Sequence, residues 1–580
     1  MRSRILLIAG LFAVVQCILF PAFGSAAVGV ELGELPDFGP NVFVFDPSMP
    51  GIQKQIDSLF RTQERGEFGP NRYAFLFRPG KYNCDVNVGF YTQVMGLGNS
   101  PDDVAITGAV RSKATWRRGN ATVNFWRCAE NLSVTPTLDR GANVWAVSQG
   151  TALRRVHVKG NLNLSDHGWS SGGFIADCKI DGIVDSGSQQ QWLSRNAQWL
   201  GWRGGGWNMV FVGSNNAPVG AWPAKPYTSV ETTPIAREKP YLTVDESGRY
   251  FVRVPGLRIG GTRGITWANG IAAGEAIPID RFFIAHPGKD NAASINAALA
   301  AGKNLLFTPG VYHLEDSIRV SRPGTVVLGL GYPTLAPERG AAAMVLADVN
   351  GIEVGGFLLE AGAVNSPVLL QVGERGDSVS HAADPTFLYD IFCRAGGAKT
   401  GMTDSFVRIY SNNVVGDNWW LWRADHGEGA DWDSNKVANG LTVDGNDVTM
   451  YGLFVEHCQG YQTIWNGNGG RDYFYQSEMP YDPPSQGAWS HGGKRGYASY
   501  KVGDAVKTHE AWGLGVYCVF TSAPVVADMG IETPMGPGIR MHHMIALRLA
   551  GEPGSGIEHV INDQGTAVIS TQAARVSENK

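Results

Sequence analysis

Two glutamates, Glu456 in "LFVEHC" and Glu478 in "YQSEMPYDPP", stand 22 residues apart among short apolar strands. If that interval is one coil of a strand-built solenoid, both carboxyls occupy equivalent positions on adjacent strands about 4.8 Å apart and project from one face. Two carboxyls that close cannot both ionise freely, so one keeps its proton near neutral pH. A proton donor beside an anion suits glycosidic hydrolysis: the acid protonates the leaving oxygen, and the anion manages water or an oxocarbenium-like transition state. Spacing alone fits two solvated turn residues just as well. The neighbours shift the balance: Trp465, Tyr473, Tyr475, Tyr481 and Trp489 lie between or beside them, and Trp419, Trp420, Trp422 and Asp425 fall one or two coils earlier. Sugar rings pack their C–H faces on aromatic planes and offer hydroxyls to Asp, Asn and Gln. A solenoid interior is better filled by Val, Ile and Leu. His457, His509 and Glu510 are further candidates, although an isolated His in a strand is more often a structural hydrogen-bonding residue. No Ser-His-Asp order stands out, and "GLG" after a strand is too short for a dinucleotide fingerprint.

The elements that must hold these residues repeat. A helical pattern from Ile52 to Phe60 leads through "YAFLFRPGKYN" to "TQVMGLG"; about 230 residues later "NAASINAALAAG" leads through "KNLLFTPGVYHL" to "TVVLGLG". Pro79 and Gly80 correspond to Pro309 and Gly310, and Gly96 and Gly98 to Gly329 and Gly331. Each copy reads as a short helix, a strand, a Pro-Gly turn and further strands, the helix covering the open end of a strand stack. Strands at intervals of roughly 20 to 25 residues fit coils of a parallel β-helix better than the fast-returning hairpins of a sandwich. The fold expected is all-β: two tandem right-handed parallel β-helix domains side by side, each with an N-terminal capping helix. The domains run over 27–214 and 276–580, and residues 215–275, rich in Pro, Gly, Thr and Trp, read as a linker with a little structure of its own.

Gly makes up 75 of 580 residues, well above the usual ~7%, which disfavours long exposed helices. With a net charge of −5 and no basic stripe, nucleic acid is excluded as the expected partner and a polyanionic substrate is disfavoured. Arg2 and Arg4, an apolar run from Ile5 to Phe20 and small residues at Gly24 to Ala27 form a secretory signal over residues 1–26. The apolar run is too short for a membrane span, so a secreted or periplasmic protein without membrane attachment is expected. The six later cysteines, Cys84, Cys128, Cys178, Cys393, Cys458 and Cys518, are scattered singly with no metal-ligand spacing. Buried thiols and one or two bridges stand as alternatives. Side-by-side β-helices that cover each other predict a monomer.

At these residues the sequence resembles glycoside hydrolase family 55, the tandem β-helix β-1,3-glucanases of laminarinase type. The resemblance covers most of the chain and is carried by "WAVSQGTALRRV", "SSGGFIADCKIDG", "WWLWRADHG", "HEAWGLGVYC" and above all "YGLFVEHCQGYQTIWNGNGGRDYFYQSEMPYDPP". It implies an inverting, exo-acting hydrolase of neutral β-glucan with its site between the two β-helices and neither metal nor organic cofactor. On that mapping Glu478 is the general acid. Water is held on the opposite face by Glu456 and by Gln149 of the first β-helix, with a hydroxyl from Ser170 or Ser171 nearby. Trp422, Asp425, Trp465 and Tyr481 become sugar contacts. Cys458 stands where an aromatic residue is expected, which would alter a subsite wall.

Two other readings use the same fold. A polysaccharide lyase would abstract a proton beside a uronate carboxyl with a Lys or Arg base and Ca²⁺, for which Asp444 and Asp447 are candidates, although "DGNDV" is as readily a turn. A non-catalytic glycan-binding solenoid would need the aromatic residues but not Glu478.

Overall fold

The computed structural model describes residues 36–270, 273–569 and 572–579; the signal segment and its cleavage region lie outside them. The two repeats begin alike. Val42–Phe45 pairs in parallel with Tyr73–Phe77 and that strand with Thr92–Gly96, while Phe282–Ala285, Asn304–Phe307 and Val326–Gly329 form the same series. Between the first two strands of each series sits a helix, α1 (Ile52–Gln63) or α2 (Ala292–Ala300). In α2 the Asn291 side chain accepts from the Ser294 amide at 3.0 Å, capping two otherwise orphaned donors with the reciprocal Ser294 bond. The Pro-Gly turns are matched to the atom. A Cβ at Gly80 would strike Pro47 at 2.3 Å and one at Gly310 would strike Pro287 at 2.4 Å, so neither position tolerates a side chain. Tyr82 donates to the Phe45 carbonyl and Tyr312 to the Ala285 carbonyl, closing the same first coil in each copy.

From these starts the chain winds into two parallel β-helices. One 15-stranded sheet serves the first; a 13-stranded and a 9-stranded sheet serve the second. Coils are not uniform: 34 residues separate Glu360 from Arg394, against 22 between Glu456 and Glu478. What keeps the stack in register is a bend. One residue in each of several long strands is in the left-handed conformation and skips its partner, Gly356, Asp390, Asn418, Gly452, Phe474 and Gly513 in the second half and Asn131 and Arg155 in the first, while Asp177, Asn196 and Gly213 take the same conformation just after Phe174–Ala176, Gln191–Arg195 and Asn208–Val212. Gly, Asn and Asp reach this conformation at low cost, which explains their recurrence within otherwise apolar strands.

Alternation along the strands then builds separate cores within each β-helix and between them. In Val415–Arg423, Trp419 and Leu421 point into the second β-helix, while Trp420 and Trp422 join an apolar layer containing Phe125, Trp126, Phe174 and Leu193 of the first. A further cluster fills the first β-helix. Both faces of these strands are therefore covered, which is why they read as nearly continuous apolar runs. The interface also holds a buried chain of charges: Arg154 bonds Asp390 at 2.8 Å and Asp417 at 3.0 Å, Arg195 bonds Asp417 and Glu238 at 2.8 Å each, and Lys239 bonds Glu130 at 2.7 Å and Asp390 at 3.0 Å.

Glu238 and Lys239 come from the segment expected as a linker. Tyr227–Val230 continues the first β-helix in parallel with Asn208–Val212, and the following strands pair antiparallel. The segment is a built part of the interface, its Pro and Gly marking turns between short strands. All six cysteines of the described residues are buried and free.

Candidate active site

Glu456 ends the strand Thr449–Glu456, Glu478 ends Gly470–Glu478, and the two are direct partners in register. Each lies four residues beyond its strand's left-handed bend, Gly452 or Phe474. Their column continues through Trp422, Arg394 and Glu360 on one side and Tyr517 on the other. They face a cavity of about 450 Å³, within the range of small-ligand sites, whose walls include Gln149, Ser171, Trp422, Asp425, His457 and Tyr481.

The two carboxyls are anchored differently. Glu456 is 3% exposed; one oxygen accepts from the Gln149 amide and the other from the Trp420 indole N–H, both at 2.8 Å. Glu478 accepts from the Tyr481 hydroxyl, whose ring meets His457 edge-on at 4.3 Å. Burial, and for Glu456 also the Glu478 charge, pushes Glu456 well above the usual carboxylate range against the Trp420 hydrogen bond. Burial likewise raises Glu478, opposed by His457 and Tyr481. Both carboxyls are therefore held above their ordinary values, and the two titrate as a pair.

Gln149 reaches across from the first β-helix. Its Nε2 must be the atom facing Glu456 if that carboxylate is to accept, which turns Oε1 toward the Ser171 hydroxyl at 3.1 Å. Ser171 is fixed in turn by Ser148, which receives its amide at 3.2 Å and itself donates to the Ala121 carbonyl. Ser170 is fully buried, its hydroxyl unpartnered among the described residues, and it stays off the cavity wall. Of the two serines, the fold brings Ser171 to Gln149.

Asp425 lines the cavity with its side chain 25% exposed. Burial acts to raise it, but the His426 hydrogen bond and the His457 and His426 charges prevail, and its carboxyl is held below the usual range. Trp422 lines the cavity while only 1% exposed, with Phe68 and Trp420 stacked against its ring, so little of its plane is open to a sugar.

Two expectations are corrected, at Trp465 and Cys458. Trp465 is not a sugar contact: it is fully buried inside the second β-helix against Tyr500 and His509. Cys458 forms no subsite wall, since the left-handed turn at His457 sends its thiol into the same interior. His509 bonds Tyr500 within that interior and is pushed down to about 3 by burial, while Glu510 pairs with Arg540, away from the cavity wall. Asp447 occupies a left-handed turn and Asp444 accepts from Asn466; among the described residues no three His, Cys, Asp or Glu gather as metal ligands. Sequence reasoning missed Glu67, Arg117, Thr122, Phe125, Gln190 and His426 on the wall. Only His426, beside Asp425 in "RADHG", carried any local signal.

A cavity lined by acids and amides between two β-helices, with paired carboxyls on adjacent coils, is the arrangement of a glycoside hydrolase of the tandem β-helix class. Residues 282–478 match the family model described as the LAM55 pectate lyase-like domain. An exo-beta-1,3-glucanase of Streptomyces sp. (strain SirexAA-E / ActE) is 48% identical over 552 residues, covering 94% of this chain and 90% of the relative. The solved structure of sacteLam55A from Streptomyces sp. SirexAA-E superposes with a TM-score of 0.92 at 47% identity, covering 94% of this chain and 99% of that one. A variant of sacteLam55A from the same organism in complex with glucose gives 0.91 at the same identity and coverage. The chain belongs to glycoside hydrolase family 55.

Proposed function

We propose that the protein is an exported, monomeric exo-β-1,3-glucanase that hydrolyses laminarin-type glucan with inversion. The observation that carries this reading is the division of labour in one carboxyl pair: Glu456 is tied to Gln149 and Trp420, Glu478 to Tyr481. Burial and the Glu478 charge raise Glu456 the further of the two, but both of its oxygens accept N–H donors, and these fixed donors favour its ionised form and leave the shared proton to Glu478. Glu478 then protonates the glycosidic oxygen, with the Tyr481 hydroxyl holding its other oxygen. Water enters from the opposite face, oriented by the Gln149 amide, Ser171 and Glu456. An amide is too weak a base to take the proton, so it passes to Glu456. Inversion needs carboxyls about 6.5–9.5 Å apart. Strands about 4.8 Å apart allow this because the two side chains are drawn toward different partners. Asp425 and Tyr481 supply polar contacts to the sugar. The β-1,3 linkage and exo action are supported by the named activity of the 48% identical relative, and export by the pattern of residues 1–26.

Reducing-sugar release and product size from laminarin, measured for the wild type and for Glu478→Gln with pectate and a β-1,4-glucan as controls, tests the proposal. Glucose or short oligosaccharides from laminarin alone, lost in the variant, are expected. Unsaturated products from pectate would transfer the site to lyase chemistry, and binding without turnover in the wild type would make the protein a glycan-binding solenoid.

A further inference from the structure

At the Trp422 end of the cavity a residue from each β-helix meets over the floor. His426, in the turn that follows Val415–Arg423, bonds Asp425 at 2.9 Å through one ring nitrogen and Glu67, from the loop after α1, at 2.8 Å through the other. All three line the cavity. Burial acts to lower the imidazole, but the bonds to Asp425 and Glu67 outweigh it and raise His426 to about 10, so the ring is a cation between two anions.

The loop that delivers Glu67 is anchored. The Glu67 carbonyl accepts from the Tyr91 hydroxyl at 2.6 Å, and Tyr91 accepts from Arg394 of the second β-helix at 2.6 Å. Phe68 stacks on Trp422 and fills the space a Cβ would need at Gly397 and at Gly427, both of left-handed φ. Beyond this bridge the floor column is sealed: Trp422, Arg394 and Glu360 are 1%, 1% and 5% exposed.

We propose that the Glu67–His426–Asp425 bridge, backed by Phe68, is the end wall of the cleft and restricts attack to a chain terminus. A glucan threaded through the cleft would have to pass where the bridge stands; a chain end stops against it. Nothing local to either segment announces the pairing, because Glu67 and His426 are 359 residues apart. This inference rests on the hydrolase reading above and makes His426 and Glu67 specificity-determining residues for it.

The test compares viscosity loss of a long soluble β-1,3-glucan with reducing ends released, for the wild type, Glu67→Gln, His426→Gln and Phe68→Ala. The wild type is expected to release one product size from the earliest times with almost no viscosity loss. The variants, checked for intact melting transitions, are expected to yield mixed product sizes and a clear viscosity loss at equal reducing-end release. Folded variants that keep the wild-type ratio would overturn the wall while leaving the hydrolase reading intact. Early mixed products and falling viscosity from the wild type would overturn it without any variant, so the test survives if the substitutions unfold the protein. No hydrolysis by the wild type would overturn both.

Discussion

Replacing Gln149 by Leu removes the amide that bonds Glu456 from across the interface while keeping an approximately equal volume. A hydrogen bond to a charged group contributes about 1.5–3 kcal/mol. Lost from the reacting arrangement, that is roughly a 10- to 100-fold fall in kcat/KM. The pH profile carries the sharper signature. Burial raises Glu456, and the donors from Gln149 and Trp420 favour its ionised form. With one donor gone its pKa rises further. The reaction needs Glu456 ionised to receive the water proton, so the acid limb of kcat/KM moves to higher pH and the deficit is largest in acid. The basic limb, set by deprotonation of Glu478, stays where it was. Initial rates on laminarin across the pH range, with a melting curve for each protein, measure this. An unchanged rate with an unshifted acid limb would refute the role given to the Gln149–Glu456 bond.

Two further substitutions separate packing from catalysis. Trp465→Ala should cost about 3–5 kcal/mol of stability by opening a cavity inside the second β-helix, with KM for laminarin unchanged; a raised KM without a lowered melting temperature would return Trp465 to the substrate. Arg195→Met removes the cation shared by Glu238 and Asp417 and leaves the buried interface one positive charge short, with Asp417 keeping Arg154 and Glu238 keeping Arg258. A loss of about 3–5 kcal/mol in denaturant unfolding is expected, and a negligible loss would show that the charged chain does not hold the two β-helices together.

The Glu456–Glu478 register was readable from spacing because their coil carries no inserted loop. The two capping helices and Pro-Gly turns were readable because local sequence makes them twice. Trp465 was misplaced for a definite reason: alternation tells which residues share a face, but in a β-helix packed on a second one both faces are dry. Interior and interface tryptophans, such as Trp419 and Trp420, then look alike. Cys458 was misdirected because one left-handed residue, His457, reverses the alternation just before it. Long-range partners were the least legible. Gln149 meets Glu456 across 307 residues, a pairing that the family resemblance supplied and the residues alone did not, and the chain places Glu238 and Lys239 in a Pro-rich segment without periodicity. Such contacts arise from how two rigid solenoids dock, and no short motif encodes them.

The stereochemistry of the first product tests the central claim most directly. Proton NMR of the sugar released from laminarin in the first minutes, before mutarotation, should show the α-anomer, since water attacks opposite the β-linkage and Glu478 only protonates the leaving oxygen. Initial accumulation of the β-anomer would mean a double displacement. Glu456 or Glu478 would then be a nucleophile, and the assignment of an acid and a water-holding carboxylate to this pair would be wrong.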